Sequence, residues 1–95
     1  MIVGVCKFRI NLPENQSLKE KRSFLQRVKD KIFARFKIAL SEVDDLELRQ
    51  STVLGLALTG NDENQIRSIL HKLLSFVEES EGVRIEEEQV EVFPF

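Results

Sequence analysis

The sequence predicts an α+β sandwich of order βαββαβ, a four-stranded antiparallel sheet with two helices on one face. Three observations predict it. Ser17–Lys37 and Asp62–Ser80 carry helical periodicity behind capping residues, and strand-like apolar segments flank both. Thr52–Thr59, TVLGLALT, is apolar on both parities, as a central strand covered on both faces must be.

Ile2 to Leu12 alternates. Ile2, Cys6, Phe8, Ile10 and Leu12 point one way and Lys7, Arg9 and Asn11 the other, the pattern of a half-buried strand. Val3 and Val5 make the second face apolar near its start. Pro13 to Gln16 leads into the first helix, where Ser17 and Glu20 form a capping box. Leu18, Leu25, Val28, Ile32 and Phe36 recur at spacings of 3, 4 and 7 residues and share one stripe, which Phe24 and Phe33 widen. Ile38 to Val43 reads as a short second strand, and Asp44 to Ser51 as a polar connection.

Gly55, inside the third strand, signals a close backbone approach. Gly60-Asn61 turns the chain, Asp62 with Gln65 caps the second helix, and Gly82 occupies a C-cap position. Ile66, Ile69, Leu70, Leu73, Leu74 and Val77 supply that helix's apolar face. In Val83–Phe93 the apolar phase moves from odd (Val83, Ile85) to even (Val90, Val92), which predicts a bulge within Glu86–Gln89. Right-handed crossovers then give a ferredoxin-like sheet of order 4-1-3-2. Its helix-free face would expose Val3, Val5 and one parity of the third strand, so a homodimer covering that face is expected.

At 95 residues the chain is long enough for one domain, spanning 1–95. Cys6 is the only cysteine, so no internal disulfide forms, and it reads as a small buried hydrophobe. No run has the length of a signal-peptide core or a membrane span, so a cytoplasmic location is expected. Asp44, Asp45 and Glu47 read as a solvated acidic loop rather than a cation site, and His71, with no second His or Cys to share a metal, as a surface residue. Glu86-Glu87-Glu88 reads as an edge-strand solubiliser. No catalytic residue, metal or cofactor is expected.

The charge distribution is lopsided. Residues 1–37 carry 10 basic and 3 acidic side chains, and residues 38–95 carry 4 and 13. Eight of the 14 Lys and Arg fall in Ser17–Lys37, against only Glu20 and Asp30. Arg27, Lys31 and Arg35 form a row on one flank of the helix, with Lys19, Arg22 and Lys29 on the other. Like charges four apart cost an isolated helix roughly 0.2–0.5 kcal/mol per pair. Either long stems cover core edges and the heads are solvated or paired with the chain's own acids, or an anionic partner takes the surplus.

Ser17-Leu18-Lys19-Glu20-Lys21-Arg22-Ser23, then Glu42-Val43-Asp44, and Leu54-Gly55 after Leu48-Arg49-Gln50, resemble the YlxP-like family of small bacterial proteins of unknown function. The likeness runs over essentially the whole chain, and SLKEKRS is its most specific part. The resemblance implies a ferredoxin-like fold and a bacterial cytoplasmic protein. By gene neighbourhood it also implies an association with translation and ribosome-maturation factors, hence RNA binding. The family's Trp and Arg at the places of Arg49 and Ser51 are missing here, which weakens that loop as a base-stacking site.

Two activities that share this topology are disfavoured. Acylphosphatase needs a phosphate-cradling first loop with an Arg, and Leu12–Gln16 has neither Arg nor Gly. The RNA-recognition motif stacks bases on aromatics of strands one and three, whereas strand three has none and Phe8 points to the core. The leading expectation is a non-enzymatic factor contacting RNA or the ribosome through phosphate contacts from Lys19, Lys21, Arg22, Arg27, Lys29, Lys31 and Arg35. A protein-interaction or dimerising adaptor and a small-ligand regulatory module are the alternatives.

Overall fold

The computed structural model describes residues 1–95. The elements are β1 (Ile2–Asn11), α1 (Leu18–Phe36), β2 (Ser41–Asp44), β3 (Ser51–Gly60), α2 (Glu63–Glu81) and β4 (Ile85–Pro94). They form an antiparallel sheet of order β2-β3-β1-β4, which is the expected 4-1-3-2 order. β2 is shorter than the sequence suggests. Ile38 and Leu40 precede it as buried loop residues, so their hydrophobicity serves the core rather than a strand ladder.

Local chemistry explains both helices. Ser17 accepts from the Glu20 amide at 3.0 Å while its own amide donates to the Glu20 carboxylate at 3.2 Å, satisfying two orphan groups reciprocally. Lys37 closes α1 in the left-handed region at φ 59°. Asp62 accepts from the Asn64 and Gln65 amides, and Gly82, at φ 63°, ends α2 where a side chain would be strained. Neither helix is long and apolar enough to cross a membrane.

The core lies between the helices and one sheet face. Phe8, Ile10 and Leu54 from the sheet meet Ile32 of α1 and Leu73 of α2, all fully enclosed. Each such side chain contributes about 1.5–3 kcal/mol by leaving water. Cys6 belongs to this cluster; burial, with the charge of Glu88 adding, raises its thiol to about 11, so it stays protonated and inert.

The parity change in β4 is a bulge. Lys7 pairs with Gln89 but Arg9 pairs with Glu86, so Glu87 and Glu88 together face Phe8, and Glu87 takes φ 51°. β2 carries a second irregularity between Glu42 and Asp44. There Val43 lies over Gly55, where an added Cβ would sit 3.1 Å from a valine methyl. The close approach at Gly55 is thus made by a side chain and not by the backbone expected there.

Gly4 sets the height of α2 above the sheet. An added Cβ would come within 2.5 Å of the Ile66 Cγ2, inside the packed core, so α2 would have to lift. Gly4→Ala is therefore expected to cost about 1–3 kcal/mol through overpacking. Thermal unfolding followed by circular dichroism should show a Tm lower by roughly 5–20 °C.

Candidate functional site

The seven basic residues singled out on α1 do not form one surface. Lys21 leaves it altogether, being only 2% exposed. It continues the spacing of Leu25, Val28 and Ile32 one step toward the N-terminus, which puts it in the middle of the apolar stripe. Its ammonium pairs with the Glu42 carboxylate at 2.8 Å and donates to the carbonyls of Asp45 (2.7 Å) and Leu48 (2.5 Å). Two of its donors are thereby bonded to carbonyls, and the carboxylate matches its charge. Glu42 can reach it because it pairs with Leu54 across the β2–β3 ladder and so shares the helix-side face. Thr52, fully buried, donates to the same carboxylate at 2.8 Å.

Arg27 and Lys31 are occupied as well. Arg27 Nε and Lys31 Nζ lie 2.9 and 2.7 Å from the two carboxylate oxygens of Glu81, the last residue of α2, whose side chain is 3% exposed. Burial works to raise the Glu81 carboxyl, but hydrogen bonds and charge from Lys31 and Arg27 outweigh it and hold the group below its ordinary value. They also offset its unfavourable place at a helix C-terminus. Arg35 stacks over Phe76 at 4.6 Å and Phe36 at 5.7 Å, binding α1 to α2 by cation–π contact. The Arg27–Lys31–Arg35 row therefore seams the two helices together.

Of the loop acids expected to be solvated, Asp44 and Glu47 are exposed without an ion-pair partner, whereas Asp45 is engaged. Asp45, in the left-handed region at φ 61°, accepts from Arg9 and Ser51. Arg9 also reaches Glu87 at 3.0 Å, and Asn11 donates to Glu86 at 2.7 Å. This polar network joins β1, the β2–β3 loop and the β4 bulge on the helix-free face. Glu86 and Glu87 of the tail strand are thus engaged on the helix-free face, and the only tail-side acid that pairs with the basic row of α1 is Glu81.

Lys19, Arg22, Lys29 and Lys37 have no carboxylate within salt-bridge distance. Arg22, Gln26, Lys29, Phe33 and Lys37 follow one another at spacings of 4, 3, 4 and 4 along the side of α1 away from its seam with α2. Phe33 is 56% exposed instead of widening the core stripe, and the Lys37 ammonium lies 5.7 Å from its ring centre. Sequence reasoning missed both Phe33 and Lys37 as members of this row. A single aromatic in an otherwise polar row was the available signal. Lys19 lies on the wall of a groove of about 1010 Å³ beside Arg27 and Arg84, but Glu20 and Glu81 line it too and nearly balance those charges.

A carboxylate whose folded pKa is lowered contributes stability that is fully present above its ordinary value of 4.5 and is lost as the pH falls through the lowered one. Glu81→Gln is expected to remove that part of the acid limb. Wild type should be the more stable above about pH 5, and the gap should close below it. Urea unfolding across a pH series checks the sign.

The family model described as "Protein of unknown function (DUF503)" matches residues 3–90. Uncharacterized protein YlxP of Bacillus subtilis (strain 168) is 26% identical over 77 residues, covering 81% of this chain and 84% of that one. Among solved structures, SnoaB, a cofactor-independent oxygenase from Streptomyces nogalater, superposes with a TM-score of 0.51 at 16% identity, over 99% of this chain and 92% of that one. A dimeric ferredoxin-like protein of unknown function from Bacteroides fragilis NCTC 9343 gives 0.49 at 12% identity, over 99% and 96%. At such identities the likeness to SnoaB is one of fold. Matched over nearly its whole length, the chain belongs to the family of proteins of unknown function DUF503.

Proposed function

We propose that the protein is a non-enzymatic, cytoplasmic RNA-associated factor that holds the RNA backbone on the outer row of α1. The observation that carries this reading is the set of cations left over after internal pairing. Lys19, Arg22, Lys29 and Lys37 have no carboxylate partner, and three of them line one helix face. Flexible cations along a rod, with no enclosed pocket among them, suit a phosphate backbone better than a compact ligand. A place in translation or ribosome maturation rests on the family resemblance.

Four phosphate contacts to a single strand correspond to a slope of log affinity on log salt of roughly −3. The triple change Arg22→Glu, Lys29→Glu and Lys37→Glu is expected to abolish most of that slope in fluorescence-anisotropy titrations with a labelled RNA. Arg27→Gln with Lys31→Gln should leave it unchanged, because those charges are already committed to Glu81. No binding by wild type in about 50 mM salt, or a slope that survives the triple change, contradicts the reading.

We also propose that a second copy of the chain covers the helix-free sheet face. Val3, Val5, Ala57 and Phe93 share that face by strand register, and Val43 lies over it at Gly55. Phe93 is 39% and Val43 51% exposed. Lys7 and Glu91 stand on the same face on adjacent strands without salt-bridge partners, so a two-fold axis between them would set each against the other across the copies. Sedimentation at micromolar concentration is expected to give a dimer, and Val5→Glu with Ala57→Glu a folded monomer. A wild-type monomer overturns this.

A further inference from the structure

Phe33 has no structural use in the monomer. The other aromatic side chains of α1 do: Phe24 is buried in the core beneath Arg27, and Phe36 packs edge-on against Phe76 with ring centres 5.9 Å apart. Phe33 is 56% exposed, lies outside the core cluster and stands one turn from Lys29 and one from Lys37. A large ring in this position costs solubility without adding to the core. Its value is as a flat apolar surface framed by cations.

That combination is what an unpaired base recognises. Phosphates on either side of a nucleotide are drawn to cations one helical turn from the ring, and the base then meets a π-face. A duplex offers no such base, since its rings are stacked and paired in the interior. The Lys37 ammonium, 5.7 Å from the ring centre, is held by cation–π attraction alone and can pivot to a phosphate while the base takes its place. Arg22, two further turns toward the N-terminus from Lys29, extends the track beyond a single nucleotide.

We infer that the α1 site selects single-stranded over duplex RNA, with Phe33 as the stacking platform for one base. This rests on the RNA-binding reading given above. Base–aromatic stacking predicts that Phe33→Ala weakens binding of a labelled unstructured RNA 12-mer by about 5- to 100-fold. Phe33→Leu, which keeps apolar bulk but not the flat ring, should lose nearly as much. The salt slope should be unchanged in both variants, and so should binding of a hairpin stem of equal charge. Zero-length ultraviolet crosslinking of the wild type should place the attached nucleotide on Phe33. Unchanged affinity in Phe33→Ala, or full affinity in Phe33→Leu, overturns the stacking role and leaves the phosphate reading standing. So does equal loss on the hairpin, or a Phe33 variant that changes sedimentation but not RNA binding. If neither RNA binds the wild type, the RNA-binding reading itself fails, and the inference with it.

Discussion

The buried ammonium of Lys21 is the contact on which the arrangement of α1 depends. It joins the helix to the edge strand through Glu42 and to the β2–β3 loop through two carbonyls. A buried cation contributes little net stability when it is fully satisfied. Removing it would strand a carboxylate and two carbonyls, at several kcal/mol. Such a contact works chiefly by excluding alternatives, because only one rotation of α1 about its axis brings the ammonium to its three partners. That rotation turns Arg27, Lys31 and Arg35 toward α2 and leaves Arg22, Lys29 and Phe33 facing water. The Ser17–Ser23 segment, the most specific part of the family resemblance, thus combines a helix cap with a structural lysine.

Charge segregation along the chain has two consequences in the fold. Some of the excess closes on itself through Glu81, which holds two cations at the helix seam, and through the network of Arg9 with Asp45 and Glu87. Of the remainder, Arg22, Lys29 and Lys37 stay on one face of one helix. Partial internal neutralisation makes the free cations fewer but concentrates them geometrically. A small row of this kind favours weak, salt-sensitive attachment over tight recognition. Any selectivity must then come from the ring in its midst or from a second subunit that doubles the site.

Local signals carried the architecture. The capping box at Ser17 and Glu20, the caps at Asp62 and Gly82, and the odd-to-even change in β4 each report on a few neighbouring residues, and each is met in the structure. The two-sided apolarity of Thr52–Thr59 placed β3 inside the sheet for the same reason. The fate of the basic residues depended on partners far away. Glu81 lies 54 residues from Arg27, and Asp45 lies 36 from Arg9, so no window of sequence relates them. Lys21 and Phe33 are different. The spacing of Leu25, Val28 and Ile32, extended backward, assigns Lys21 to the core, while Phe33 falls on the polar row. Residue type, given more weight than position, hid both.

The division of cations on α1 into committed and free sets is the central claim, and lysine reactivity toward an amine-specific reagent, read by mass spectrometry with and without single-stranded RNA, tests it most directly. Lys21 should be inert in the native protein and Lys31 slow, while Lys19, Lys29 and Lys37 react freely and become shielded by the RNA. Modification of Lys21 at the rate of an exposed lysine, or shielding that falls on Lys31 and spares Lys29 and Lys37, would contradict it.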